Sequence, residues 1–406
     1  MTDPPGSPAR GVLIIVENLP VPFDRRVWME ATTLSLHGYT VSVICPTGKN
    51  YESAYEERGG IHIYRHTLPP EHSSALGYLR EYAAALWGEW RLARQIRKER
   101  GFDLIHACNP PDLIFLVAAW FKWIHGVRFL FDHHDLCPEL YESKFARRGF
   151  FHWLLRRAER ATFALADTVI STNRSYKEIA VSRGKKDPAD VFVVRSGPDL
   201  SRFCAVPPDP AYKQGRDYLV GYLGVMGEFD GVHHLVEAAH ELVVRRGRTD
   251  IQFCLIGSGP MLSDLQSLAH DLQVDAFMEF TGRIPDEEMI ARLSSCDAGI
   301  APDPLNPLND KSTMNKILEY MALELPVVQY DLKEGRLSAQ EASRYAEANN
   351  VEALATEIES LLGDSQERVQ RGRIGRKRME EELEWKHQVP TLLAAYAHAL
   401  TESRAR

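Results

Sequence analysis

Five segments carry residue types that could do chemistry. The densest is Phe131-Asp-His133-His134-Asp135-Leu-Cys-Pro138-Glu139, with two imidazoles and three carboxylates in nine residues after an apolar run. That mixture suits sugar-hydroxyl binding and proton handling, or a metal ion. Pro20-Val-Pro-Phe-Asp24-Arg25-Arg26-Val-Trp28 puts two arginines at a helix start, where they oppose the macrodipole. They call for an anionic partner, either a phosphate or a nearby Asp or Glu. In the second half, Gly221-Tyr-Leu-Gly224-Val-Met-Gly227 lies between a strand and a helix. Glycines there let backbone N–H groups approach a phosphate. The spacing is not GxGxxG, so the dinucleotide fingerprint fails, and a tight turn without a ligand is the alternative. Ile256-Gly257-Ser-Gly259-Pro260 is a second such turn, for which a plain loop is the simpler reading. Finally, Lys316 and Glu319 stand at i,i+3 on one helix face that runs into Pro326-Val-Val. A carboxylate there could accept both vicinal hydroxyls of a ribose, or form a solvated ion pair with the lysine.

These segments sit at the junctions of a repeating pattern. The runs 11–16, 40–45, 62–65, 103–107, 127–132, 168–171 and 191–194 read as strands, with helix-length stretches between them. The first is apolar throughout rather than alternating, as in a parallel strand buried on both faces. Residues 205–217 hold three prolines and no periodicity, which marks a linker. The pattern then restarts with 218–223, 251–256, 278–281, 297–301 and 326–330. The expected class is α/β, two Rossmann-like doubly wound domains facing a cleft, where a nucleotide-type ligand binds at the carboxyl ends of the strands. The divisions are a disordered 1–10, a first domain 11–204, the linker 205–217, a second domain 218–384 and a final helix 385–406. The tail, 365–382 and 386–403, reads as two amphipathic helices.

Composition agrees with a soluble globular chain: 406 residues, 44% hydrophobic and 26% charged. A net charge of −8 argues against a general nucleic-acid binder. The charge is divided unevenly, with 26 basic against 23 acidic residues in 1–200 (+3) and 22 against 33 in the remainder (−11). Between Lys144 and Arg160 the net charge is +5, six bases against one acid, interleaved with Phe145, Phe150, Phe151, Trp153, Leu154 and Leu155. A basic amphipathic helix of this kind lies on an anionic membrane surface, or is an ordinary helix with its arginines in water. The six cysteines form no CxxC pair and read as reduced thiols, mostly within apolar runs. Neither a signal peptide nor a membrane span is expected; the longest apolar run, 113–121, is nine residues.

Taken in order, Gly221–Gly227 with Gly231, Leu255-Ile-Gly-Ser-Gly-Pro260, Phe280-Thr-Gly-Arg283, Glu319-Tyr-Met-Ala and Pro326-Val-Val resemble the family 4 (group 1) glycosyltransferases. In the first half, Gly38-Tyr-Thr-Val-Ser-Val and Val193-Val-Arg-Ser-Gly197-Pro-Asp-Leu-Ser-Arg-Phe203 agree. The resemblance covers about residues 11–400. It implies a GT-B fold and a retaining hexosyltransferase, with no cofactor and no metal requirement. The donor is a nucleotide sugar and the acceptor a glycan or lipid-linked molecule, in polysaccharide or glycolipid synthesis. It implies Glu319 on the donor ribose and His134 near the transferred sugar, with Asp135 beside it. It also implies a cytoplasmic protein, peripheral on the inner face of the membrane.

Three positions depart from the family pattern. The first of its two glutamates falls at Lys311, and the glycine before Pro-Val-Val is Glu324. The arginine and lysine that grip the diphosphate fall at Val225 and Asp230. A departing diphosphate needs positive charge, so replacements are expected among Arg283, Lys311 and Lys316, with Asn315 in the same loop. Asp24, Arg25, Arg26 and Glu139 are the phosphate or acceptor-side candidates of the first domain. The alternatives are a nucleotide-sugar epimerase or hydrolase on the same fold, or a non-catalytic nucleotide-sugar binder.

Overall fold

The computed structural model describes residues 10–67, 75–145 and 148–401. Most of the N-terminal stretch expected to be disordered therefore lies outside the described residues. The chain divides into two compact units, residues 1–195 with 389–406, and residues 196–388.

The first unit holds β1 (Gly11–Ile15), β2 (Thr40–Pro46), β3 (Tyr55–Arg58), β4 (Ile61–His66), β5 (Leu104–Cys108), β6 (Arg128–His133), β7 (Thr168–Ser171) and β8 (Val191–Val193). Their order is β3-β4-β2-β1-β5-β6-β7-β8, parallel throughout except for β3 against β4. β1, with every residue buried, sits centrally, as its unbroken apolar sequence requires. β3 was not expected, because Tyr-Glu-Glu-Arg carries no apolar run. It is an edge strand turned back by Gly59 and Gly60, both at positive φ (58° and 77°), the backbone that a tight hairpin turn needs.

The second unit holds β9 (Tyr218–Leu223), β10 (Ile251–Ile256), β11 (Met278–Gly282), β12 (Ala298–Ala301), β13 (Val327–Tyr330) and β14 (Ser343–Ala346). The order is β11-β10-β9-β12-β13-β14, all parallel. Both sheets thus reverse their winding beside the first strand, between β1 and β5 and between β9 and β12. In doubly wound sheets that reversal opens the crevice where ligands bind.

Two expectations change here. The boundary between units falls at Arg195/Ser196, and the Pro-rich 205–217 stretch packs within the second unit. Its Val206 and Asp209 amides donate to Ser294 Oγ (3.2 Å) and Ser295 Oγ (2.9 Å). The tail helix Ser365–Arg378 is not amphipathic in the usual sense. Its buried residues are Gly372 and Gly375, and a Cβ on Gly372 would stand 2.1 Å from the Glu324 carbonyl. Arg371, Arg376 and Arg378 complete the contact by donating to the carbonyls of Ser343 (2.9 Å), Ala322 (2.7 Å) and Ser338 (2.9 Å). Backbone proximity and guanidinium hydrogen bonds replace an apolar stripe. Among the described residues, no helix is long and apolar enough to cross a membrane.

Candidate functional site

In the second unit, the turn Gly224–Gly227 leaves the end of β9 at the winding reversal. Gly224 has φ 155°. The second glycine turn packs directly on it: a Cβ on Gly257 would lie 1.8 Å from Gly224 O, and one on Gly259 2.4 Å from Met226 O. Gly257 and Gly259 are therefore glycines because two backbones touch, not merely because a loop turns. The contact consumes amides, since Gly224 N donates to Ile256 O (3.0 Å) and Met226 N to Ser258 O (3.2 Å). Gly227 N donates to Asp230 Oδ2 at 3.1 Å.

Lys316 reaches the same turn from the helix Asn315–Ala322, its Cε 3.3 Å from where a Gly224 Cβ would stand. It is not the solvated partner of Glu319. It is buried, donates to Asp303 Oδ1 at 2.7 Å, lies 3.9 Å from Asp230 Oδ1, and stands over the Tyr222 ring at 5.0 Å. Burial works against its charge, but Asp303 and Asp230 outweigh burial and hold it firmly protonated. Glu319 is half-buried one turn further along that helix, and Asn315 is exposed at its first position. Lys311 donates to Pro307 O at 2.7 Å, and Arg283 is exposed after β11. Of the candidate cations, Lys316 is the one placed against the glycine turn.

In the first unit, His134 follows β6 and belongs to a buried charge network. Asp132, fully buried, accepts from His106 Nε2 (3.3 Å) and from Arg26 through Nη2 (3.1 and 3.2 Å) and Nε (3.3 Å), and lies 2.6 Å from His134 Nε2, which Arg26 Nε also approaches at 2.9 Å. Arg26 also donates to Val194 O (2.9 Å) and lies 3.1 Å from Glu30. Its anionic partners are thus protein carboxylates rather than a phosphate. Burial works to raise Asp132, but Arg26 and then His134 outweigh it and hold that carboxyl well below its usual range. Burial pushes Glu30 well above its range. Burial also lowers His106, which stays neutral, with Nδ1 against the Tyr396 hydroxyl.

Glu30, His106, Cys108 and Asp132 bring ligand-type atoms within 4.8 Å of one another, as a metal site would. The cation that its two carboxylates hold is Arg26.

The two adjacent imidazoles part company. Successive strand side chains face opposite ways, so His133 enters the core among Phe131, Phe163 and Tyr176, 5.1–5.5 Å away. Neither of its ring nitrogens has a hydrogen-bond partner, and burial brings its pKa down to about 3. Asn109, missed in the sequence, sets the loop that carries His134 and Asp135. Its Oδ1 accepts from His134 N (2.7 Å) and Asp135 N (3.1 Å), while Nδ2 donates to Asp135 O (2.7 Å). The available signal was Asn109-Pro-Pro directly after β5, beside the winding reversal. Asp135 is raised by burial first, then lowered by His134 and raised by Asp24.

Asp24 Oδ1 caps the helix Arg25–Leu36 by accepting from Val27 N at 3.0 Å, and Arg25 is exposed. Glu139 is taken by Arg183 at 2.6 and 3.1 Å.

On the helix Phe150–Leu165, Phe150 (69%), Phe151 (51%), Trp153 (51%) and Leu154 (45%) remain exposed beside exposed Arg156, Arg157 and Arg160. Arg148, just before the helix, is exposed too; Arg147 lies outside the described residues. The buried side is Ala158, Glu159, Thr162 and Phe163, so the aromatic cluster is not the core-facing stripe.

Two family models match the chain: "Glycosyl transferase 4-like domain" over residues 24–197 and "Glycosyl transferases group 1" over 217–364. Alpha-maltose-1-phosphate synthase of Mycolicibacterium smegmatis is 26% identical over 67% of this chain and 73% of that enzyme. Sucrose-phosphate synthase of Thermosynechococcus elongatus superposes with a TM-score of 0.81 at 18% identity, over 97% of this chain and all of that one. The Anabaena protein HepE, solved in complex with UDP and glucose, gives 0.72 at 16% identity, over 97% of this chain and all of that one. The fold is the one these structures share.

Proposed function

The chain belongs to the group 1, family 4 glycosyltransferases, which move a sugar from a nucleotide-sugar donor with retention of configuration, and we propose how its residues divide that work. The donor diphosphate lies on the Gly224–Gly227 turn, and Lys316 supplies the positive charge that the leaving group requires. The observation that carries this is the buried ammonium against Gly224, the glycine that opens the turn at the winding reversal. Glu319, on the same helix, accepts the two ribose hydroxyls. His134, oriented by Asn109 and Asp132, and Asp135 beside it hold the transferred sugar. The acceptor hydroxyl attacks from the face of the leaving group, and a phosphate oxygen receives its proton.

The donor base is uracil, as in the ligand of the HepE complexes. The acceptor is lipid-linked, and the protein is cytoplasmic and peripheral on the inner face of the membrane. The exposed aromatic and arginine face of the helix Phe150–Leu165 supports this. Thermal unfolding with UDP-, GDP- and ADP-sugars tests the donor: a bound nucleotide sugar raises the midpoint in proportion to its affinity. Stabilisation by the UDP-sugar alone is expected. Stabilisation by another one instead reassigns the base, and none by any removes the donor site.

A further inference from the structure

Asp230 occupies the position that an anionic ligand of the glycine turn would take. Gly224 and Met226 spend their amides on the second turn, and Asp230 Oδ2 takes that of Gly227. The same carboxylate stands 3.9 Å from Lys316 Nζ, the one cation buried against the turn among the described residues. Lys316 is shared with Asp303, whose Oδ2 is buried and finds no hydrogen-bond partner. Two carboxylates, the buried Asp303 and the half-buried Asp230, thus hold one buried ammonium. A diphosphate arriving there brings further negative charge against an existing excess. The charges balance only if one carboxylate gives way.

We infer that Asp230 is a stand-in anion: the donor's diphosphate displaces it from Gly227 N–H and Lys316, and Asp230 takes up a proton as the donor binds. This rests on the donor-site reading of the Gly224–Gly227 turn. Four groups face Asp230. Lys316 comes from the helix Asn315–Ala322, Asp303 from the loop after β12, Tyr222 from β9, and the Gly227 amide from the turn itself. The Tyr222 hydroxyl donates to Val225 O at 2.7 Å and stays a neutral phenol. Burial first, then Asp303, push the Asp230 carboxyl up to about 6 against the opposing pull of Lys316. It is therefore close enough to neutrality to be protonated by a modest local change. If the donor binds only the protonated form, affinity falls about tenfold per pH unit above 6, and about 50-fold from pH 6 to pH 8. The proton taken up is about 0.9 per donor bound at pH 7.

Titration calorimetry with UDP-glucose, GDP-mannose and ADP-glucose tests this at pH 6, 7 and 8 in buffers of different ionisation heat. A diphosphate esterified at both ends does not itself titrate in this range, so the buffer dependence counts protons on the protein. The expected result is about 0.9 proton taken up at pH 7 by the wild type. In Asp230→Asn, which keeps an oxygen for Gly227 N–H, no proton is taken up and affinity is independent of pH and tighter at pH 8. Binding without proton uptake, with Asp230→Asn indistinguishable from wild type, overturns the inference and leaves the donor site standing. Failure of all three nucleotide sugars to bind either protein at any pH removes the donor site and the inference together.

Discussion

Replacing His133 by phenylalanine should stabilise the first unit, increasingly so toward acid. His133 is wholly buried, with rings on three sides and no hydrogen bond to either nitrogen. A buried polar group without a partner costs about 1–3 kcal/mol, and a slightly larger ring returns about 1 kcal/mol of that as crowding. A gain of about 1 kcal/mol is expected at pH 7.5, where the imidazole is neutral in both folded and unfolded chains. The pH dependence follows from the depressed folded value, about 3, against an ordinary value of about 6.5. Stability from such a group is complete above the unfolded value and is lost as pH falls toward the folded one. Each unit below about 6.5 removes about 1.4 kcal/mol from the wild type and nothing from the variant, so the gap widens by about 2 kcal/mol at pH 5. Asp132 also loses its stabilising ionisation in acid, but it does so equally in both proteins. Urea unfolding followed by tryptophan fluorescence reads the right unit. Trp28, Trp87, Trp90, Trp120, Trp123 and Trp153 lie in it, and of the seven tryptophans only Trp385 does not. A gap that stays constant between pH 7.5 and pH 5 refutes the reasoning.

Glu319→Ala should weaken donor binding by about 100-fold or more by calorimetry, the loss of two hydrogen bonds to a charged acceptor; full affinity would sink the ribose assignment. Gly257→Ala meets the Gly224 carbonyl at 1.8 Å and demands φ 137° of an alanine, so the turn must shift. The expected outcome is a folded protein with donor affinity reduced at least tenfold, whereas Gly363→Ala, with nothing near its Cβ and no positive φ, leaves affinity unchanged. Reversing Arg148, Arg156 and Arg157 to glutamate should abolish co-sedimentation with phosphatidylglycerol vesicles while donor binding persists. Unaltered co-sedimentation rejects the membrane face.

The strands that could be read directly are those buried on both sides. β1 is apolar along its length, and β10 is so except for Gln252, because both faces meet helices. The missed strands, β3 and β14, are edges, where Tyr-Glu-Glu-Arg and Ser-Arg-Tyr-Ala satisfy a backbone ladder without an apolar run. The helix Ser365–Arg378 misled for a related reason, since it docks through glycines and arginine-to-carbonyl bonds that hydrophobic periodicity does not register. At the site, His134 and Asp135 stood out because they are adjacent in sequence. Glu30, His106, Asn109 and Tyr396 did not, because each is an ordinary residue until the sheet order brings it in. The His106–Tyr396 contact closes 290 residues of chain. Charge position was the least legible feature. Lys316 and Glu319 suggest an ion pair in sequence, and only the fold shows the lysine turned to Asp303 and the glycine turn.

The central claim is that the sugar is transferred with the donor's configuration kept. The direct measurement is nucleotide release from a UDP-sugar with and without a membrane lipid extract as acceptor, followed by assignment of the anomeric configuration in the product. Release that depends on the extract is expected, with a product of the same configuration as the donor, both lost in Lys316→Met. Equal release without any acceptor would make the protein a hydrolase or epimerase, and an inverted product or no release from any nucleotide sugar would contradict retaining transfer outright.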